Sequence, residues 1–302
     1  GNGELDGGQT FAVGIVAKNK NAYSTADITL NTNSSGTFEL SSGDGGRGIG
    51  GYDDNQPTAW EEVWGTGITT NVNLQKGVSG STNISWTSPK VIGTTIQVAY
   101  APDNDGGTSG NKVVSGEASP HFGSGWDVVL DTGTENGEVN LFLGVSDTEV
   151  AKGGPAATKA FTGDHEEGVI GLKFKFGPVA LGGQVSAERI QTQTAGAANY
   201  YGNSSWGVSF NVNDDLSVSY SQVRHVQSTT KKQTQMVGAH GLADRLNEYT
   251  PKSWMRGDSI QAAYTIGGVS LKYAQTEYDN TAYGFDAKAP KEVRILAVSL
   301  AF

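Results

Sequence analysis

The chain contains no cysteine, and its 302 residues include only 8 prolines. Without cysteine there is no disulfide, no thiolate-bound zinc or iron–sulfur cluster, and no thiol nucleophile. No stretch reaches 18 consecutive apolar residues, so the sequence predicts no transmembrane helix. Apolar faces with a 3.6-residue period are also scarce, and this scarcity disfavours an α-helical fold.

Basic side chains are outnumbered, with 21 Lys and Arg against 31 Asp and Glu, which gives a formal net charge of −10. A general nucleic-acid binder needs a basic face, so we expect no nucleic-acid partner. The hydrophobic content is ordinary once the 43 glycines are counted with it. The composition is therefore that of a folded chain rather than of a disordered acidic tail.

Short runs with a two-residue period dominate the sequence and predict an all-β protein. In the clearest run, Ile170, Leu172 and Phe174 alternate with Gly171 and Lys173. Alternation of this kind predicts fourteen strands, at roughly 9–19, 25–32, 37–43, 83–89, 94–102, 126–132, 138–148, 167–176, 179–190, 204–212, 216–228, 258–266, 269–279 and 293–302.

After residue 33, the connections between these strands alternate strictly between short turns and long segments, whereas the first connection, near 20–24, is shorter than this pattern requires. The long ones are 44–82, 103–125, 149–166, 191–203, 229–257 and 280–292. This order places every long connection at one rim of the sheet and every tight turn at the other, as in an antiparallel up-and-down barrel that spans a membrane. A Greek-key sandwich would distribute its loop lengths between both ends.

Three features carry a resemblance to a known family. The last five residues, 298–302, alternate and close on Phe302. The stretch 37–44 looks like the strand that precedes a constriction loop, and 50–64 is similar to the acidic loop that folds into the lumen. On these features the chain resembles the general porins, the sixteen-stranded trimeric barrels of the Gram-negative outer membrane, and it looks nearest to the alphaproteobacterial type.

The resemblance implies one barrel domain over residues 1–302, of the sixteen-stranded type. About fourteen strands are visible, because the family's first hairpin has no counterpart in this chain. The resemblance further implies location in the bacterial outer membrane, contact with its lipid, and a homotrimer whose assembly signal is Phe302. We expect a passive diffusion channel for small hydrophilic solutes and ions, without a chemical step.

Four acidic residues of the long connection 44–82 are the candidate pore constriction. A connection of this length in a compact domain is uncommon and is usually functional. Pro57 followed by acidic residues predicts a short helix over 57–62. The acidic candidates are Asp53, Asp54, Glu61 and Glu62.

Four lysines occupy polar positions in the alternating pattern of their strands. They are the candidate basic residues of the pore wall. In the family, bases on the wall face the acids of the loop, and the field between them sorts ions. The lysines are Lys18, Lys173, Lys175 and Lys272.

Cofactor signals are weak, and we expect no cofactor beyond a structural calcium ion. Asp103 and Asp105 are spaced like the start of a calcium loop, although no glutamate follows at the required distance. The outer-rim loops of the family hold calcium, which makes these two residues the metal candidates. The histidines lie in no catalytic motif, and we expect all four to be solvated: His121, His165, His225 and His240.

Other functions stay open at this point. A substrate-selective outer-membrane channel would line its solute path with aromatic residues such as Tyr52, Trp60 and Trp64. A soluble or secreted β-sandwich, acting as an adhesin or a carbohydrate-binding domain, also alternates. An outer-membrane hydrolase would need a Ser–His pair, and nothing in the sequence nominates one.

Overall fold

The structure of the chain is a computed structural model. It describes residues 1–16, 25–32, 34–42, 46–102, 122–150, 163–191, 197–230, 252–284 and 290–300. Within these ranges no helix is both long enough and apolar enough to cross a membrane.

Fifteen strands in the described part of the chain form one antiparallel sheet, and each strand pairs with its neighbours in the chain. They are β1 Asn2–Glu4, β2 Thr10–Val16, β3 Thr25–Thr32, β4 Gly36–Ser42, β5 Asn83–Thr87, β6 Thr94–Ala101, β7 Phe122–Gly133, β8 Val139–Val150, β9 His165–Phe176, β10 Val179–Arg189, β11 Ala198–Asn211, β12 Leu216–Thr229, β13 Lys252–Ile266, β14 Val269–Asp279 and β15 Lys291–Leu300. The single sheet in sequential order rules out the β-sandwich alternative.

The prediction of short turns and long connections at opposite rims is confirmed. Two-residue turns join β9 to β10 at 177–178 and β13 to β14 at 267–268, whereas 43–82 separates β4 from β5. We call the two ends of the sheet the short-turn rim and the long-loop rim.

The prediction of fourteen strands is wrong by one, because β1 precedes the first of them. This strand has only three residues, too few for an alternating pattern to show. Strand β13 begins at Lys252, six residues before its predicted start. The prediction missed this part because its outward positions include the charged residues Lys252 and Arg256. Charged residues at outward positions hide the apolar half of the alternation.

The two faces of the sheet have opposite character. One face exposes large apolar side chains such as Leu143, Ile170, Leu172 and Val185. The other face carries small and polar residues that are buried, and it is covered by residues 46–82, which we call the inner segment. This segment contacts β4 and the strands from β6 to β15, so the sheet curls around it and its polar face is the inside.

Candidate functional site

The inner segment leaves β4, follows the inner wall to β15 and returns to β5. Its outgoing limb is 46–67 and its return limb is 68–82. Near the start of the outgoing limb, Ile49 packs on buried Val129, Phe142 and Val169. The Tyr52 hydroxyl then donates to Asp131 of β7 at 3.0 Å. This contact directs the limb deeper into the barrel.

Polar side chains of the wall hold the next part of the outgoing limb by its main chain. The Asn55 N–H donates to Oε1 of Gln184 on β10 at 2.9 Å, and the Gln184 amide donates in turn to the Asp53 carbonyl at 2.7 Å. Further along, the Ala59 N–H donates to Oγ of Ser219 on β12 at 2.8 Å. The limb therefore has the hydrogen bonds that an irregular backbone needs inside a barrel.

The far end of the inner segment reaches the last strands. The hydroxyls of Thr66 and Thr276 lie 2.5 Å apart, and both groups are buried. Gly67, at φ +84°, lies against Ile295 of β15. Val63 belongs to the largest buried cluster, which also includes Met255.

The return limb passes back over the same strands, closer to the long-loop rim. The Asn71 N–H donates to the Thr281 carbonyl at 2.9 Å, and the Asn203 side chain donates to the Asn73 carbonyl at 2.9 Å. On β7, β10 and β11, contact positions of the two limbs lie four residues apart, or about 13 Å at 3.3 Å per residue. These pairs are Asp131 and Asp127 on β7, Gln184 and Glu188 on β10, and Gly207 and Asn203 on β11.

Asp127 of β7 joins the two limbs near their ends. Its carboxylate accepts the N–H of Ile49 and the N–H of Val78, each at 3.1 Å. Gly48 and Gly77 precede these donors, have positive φ, and would collide with this carboxylate if they carried a Cβ. Both glycines are therefore required by backbone conformation and by the close approach of Asp127.

The four acidic candidates all lie on the outgoing limb, and their electrostatics show that they are neighbours. Burial and the charge of Asp54 raise the pKa of Asp53 to about 6. Burial, a hydrogen bond with Glu61, and the charges of Glu61 and Asp54 raise the pKa of Glu62 to about 8. The structure thus brings Asp53, Asp54, Glu61 and Glu62 together into one group, in which Asp54 is exposed and the other three are partly buried.

Three of the four lysine candidates lie on the inner face, on the short-turn side of the outgoing limb. Lys173 pairs across β9 and β10 with Gly182, which contacts Pro57, and Lys175 is the next inward residue. Lys272 shares its face with buried Ala274. Among the described residues, none of these lysines is within ion-pair distance of the four acids, so the facing of bases and acids stays a prediction.

Two expectations from the sequence are wrong. Residues 57–62 form no helix; short 3₁₀ helices occur instead at Gly48–Tyr52 and Val63–Gly65. The Glu61 N–H, which would close the first helical turn onto the Pro57 carbonyl, donates to Gln261 instead, and the same side chain also donates to the Glu61 carbonyl. His165 and His225 are not solvated but buried, at 2% and 1% exposure, because both point inward beneath the inner segment.

The remaining candidates divide into packed aromatics and residues outside the described ranges. Tyr52 packs on Phe142 with ring centroids 4.8 Å apart, and Trp64 meets the His225 ring edge-on at 6.0 Å. Lys18, Asp103, Asp105 and Phe302 lie outside the described residues, together with His121 and His240.

Sequence reasoning missed the wall residues that hold the inner segment. Asp127, Gln184 and Gln261 are inward residues of their strands, flanked by apolar outward residues. The alternation of the sequence shows that these three residues face inward. A carboxylate or amide at an inward position indicates a residue that can hydrogen-bond to a segment inside the barrel. The alternation does not indicate which of the inward residues the inner segment contacts.

Comparisons with known proteins support the fold. No family model and no curated protein sequence matches the chain. Among solved structures, it is similar to a porin refined at 1.8 Å, with TM-score 0.61 and 12% identity over 100% of this chain and 90% of the porin. It is also similar to the trimer form of OmpT, an outer membrane protein of Vibrio cholerae, with TM-score 0.61 and 9% identity over 99% and 88% of the two chains.

A third similar structure is the outer membrane channel DcaP of Acinetobacter baumannii, with TM-score 0.51 and 11% identity over 91% of this chain and 83% of the channel. At these identities the likeness concerns the fold alone. The predicted class, an all-β up-and-down antiparallel barrel, is confirmed.

Proposed function

We propose that the protein is a passive diffusion channel of the bacterial outer membrane for small hydrophilic solutes and ions. The observation that carries this proposal is the inner segment, which runs along the inside of the barrel and bears four clustered acids on its deeper limb. A segment folded inward at that depth narrows the lumen and places its charges where solutes pass.

The exposed apolar face supports location in a membrane. Large apolar side chains such as Leu143, Val145 and Ile260 are about half exposed on strands whose opposite face is polar. This arrangement suits a lipid environment outside and water inside. A porin-like fold and the trimer form of a similar protein support a homotrimer in outer-membrane lipid.

The acid cluster would favour cations over anions. Two unit charges 8 Å apart, at an effective dielectric of about 40, interact by about 1 kcal/mol. Two or three uncompensated carboxylates would therefore favour a cation by about 2–3 kcal/mol before screening. The Debye length is about 10 Å at 0.1 M salt, so the preference persists at low salt and fades near 1 M.

The channel needs no chemical step and no cofactor. Size exclusion at the inner segment and charge at its acids are sufficient for the proposed activity.

The test is the zero-current potential of single channels in a planar bilayer under a tenfold KCl gradient. Neutralising the cluster, by Asp53→Asn, Asp54→Asn, Glu61→Gln and Glu62→Gln together, should move this potential toward the anion side. The matched control neutralises four exposed acids at the short-turn rim and changes the net charge equally: Glu135→Gln, Glu138→Gln, Asp214→Asn and Asp215→Asn.

A much smaller shift is expected from the control, because its acids lie outside the narrow part. Equal shifts in both variants would mean that the inner segment does not determine selectivity. A protein that inserts into the bilayer but conducts no ions would overturn the proposed function.

A further inference from the structure

Three side chains able to bind a metal ion converge on the inner wall beneath the return limb. They are His165 and Glu167 on β9 and Glu188 on the adjacent β10. All three point inward and are buried, with exposures of 2%, 6% and 1%. Their ligating atoms all lie within 4.8 Å of one another.

The separations suit a single ion. His165 Nε2 lies 2.9 Å from Glu188 Oε1 and 3.9 Å from Glu167 Oε1. Ligand atoms bound tetrahedrally at about 2.0–2.1 Å from an ion lie about 3.3–3.4 Å from one another. The two measured distances fall on either side of that value, so small rotations of the side chains would bring the three atoms around one centre.

Hydrogen bonds from the return limb orient the carboxylates of Glu167 and Glu188. The Gly77 N–H donates to Glu167 Oε2, and the Asn73 side-chain N–H donates to Glu188 Oε2. In each carboxylate the other oxygen, Oε1, faces the imidazole of His165. Outer hydrogen bonds that fix ligating carboxylates in this way are a regular part of protein metal sites.

A second observation points to a missing partner at the same place. Asn73 is 3% exposed, and its side-chain oxygen has no hydrogen-bond partner among the described residues, although its amide reaches Glu188. A buried polar oxygen is normally satisfied, so the Asn73 side-chain oxygen favours an ion or an ion-bound water here.

We propose that His165, Glu167 and Glu188 bind one divalent transition-metal ion of the zinc class. One imidazole with two carboxylates suits zinc, cobalt, nickel or manganese, whereas calcium and magnesium prefer oxygen ligands alone. The ion balances two carboxylates that are otherwise buried close together. It also strengthens the hold of the wall on residues 73–77 of the return limb.

The proposal is independent of whether the barrel conducts, and it is tested by binding. The folded protein in detergent, freed of metal by chelator and dialysis, is titrated with Zn²⁺ by calorimetry and with Co²⁺ by visible absorption. We expect one ion per chain, the absorption of a low-symmetry cobalt site, and no competition from an equal concentration of Ca²⁺.

Variants locate the ion. His165→Gln and Glu188→Gln should each weaken Zn²⁺ binding at least tenfold, whereas His225→Asn should leave it unchanged. His225 is the matched control because it is a buried inward histidine on β12 without a neighbouring carboxylate among its contacts. Heat-modifiable mobility on a gel shows which variants are folded.

If His165→Gln does not fold, anomalous scattering from zinc-soaked crystals of the unaltered protein locates the ion directly. Density between His165 and Glu188 would support the proposal. Absence of saturable binding, binding that survives both substitutions in folded protein, or preference for Ca²⁺ would overturn it.

Discussion

The side-chain amide of Gln261 makes two hydrogen bonds to the main chain of Glu61. Its Oε1 accepts the Glu61 N–H at 3.0 Å, and its Nε2 donates to the Glu61 carbonyl at 2.6 Å. Oε1 also accepts the Trp60 N–H at 3.1 Å. One wall side chain thus fixes the main chain at the acidic part of the outgoing limb.

Gln261→Leu keeps the side-chain size but removes these three hydrogen bonds and a fourth, in which Nε2 donates to the Ser259 hydroxyl at 3.1 Å. We expect the free energy of unfolding to fall by about 1–3 kcal/mol, because partly buried main-chain groups lose their partners. Channel current should also become noisier, since the acidic part of the limb is released. Urea unfolding in lipid vesicles and single-channel recording measure the two effects.

The control for this change is Gln275→Leu. Gln275 faces outward on β14 and bonds to Glu292 at 2.9 Å, so its loss should leave the current noise unchanged. Equal noise in both variants would show that Gln261 does not hold the limb.

The cation preference should rise with pH in two steps. A carboxyl is neutral below its pKa and charged above it, so Asp53 gains its charge near pH 6 and Glu62 near pH 8. The lumen becomes more negative across this range, and each added charge favours a cation by about 1 kcal/mol under the Coulomb conditions given above. Zero-current potentials at pH 5, 7 and 9 measure the change.

Single substitutions separate the two steps. Asp53→Asn should remove the rise near pH 6 and keep the later one, whereas Glu62→Gln should do the reverse. A potential that does not vary with pH in the unaltered channel would mean that these groups lie away from the ion path.

A charge on the outer face should be far more costly than the same charge on the inner face. Leu172→Arg places a cation on the exposed apolar face of β9, and we expect a loss of about 2–4 kcal/mol in the free energy of unfolding if the site is near mid-membrane. Ser209→Arg, on the inner face of β11, should be tolerated. Unfolding in vesicles compares them, and equal losses would reverse or abolish the assignment of the faces.

Gly77→Ala tests the close approach of Asp127. Gly77 has φ +54°, and an added methyl group would strike the Asp127 carboxylate. Gly177 has the same φ, but nothing lies within 4 Å of the added atom. Gly177→Ala should therefore cost only the backbone strain of about 1–2 kcal/mol, and Gly77→Ala clearly more, in the same unfolding assay. Similar losses would mean that the return limb shifts freely at this point.

The sequence was sufficient to predict the sheet, its order and its two faces. Alternation is local, so Ile170 and Leu172 reveal their phase without knowledge of any partner, and the lengths of the connections reveal the two rims. The same reasoning failed at β1 and at the start of β13, where a very short strand and outward Lys252 leave no apolar alternation.

The candidate site was predicted only in part. The four acidic candidates could be predicted because they cluster within one long connection. The sequence did not predict the cluster of His165, Glu167 and Glu188. Their proximity depends on the register between β9 and β10 and on the route of the return limb. No local sequence pattern indicates the register or the route. For this reason His165, which was predicted to be solvated, is buried in the structure.

The route of the inner segment has a consequence for the order of folding. Trp60 and Gln261, which share a hydrogen bond, are 201 residues apart in the chain. The segment therefore cannot dock until β12, β13 and β14 have formed, although it precedes them in sequence. Contacts so distant slow folding, because a large part of the chain must be ordered before they form. We infer that the wall assembles around an undocked segment, and that its docking is the last step to acquire native structure.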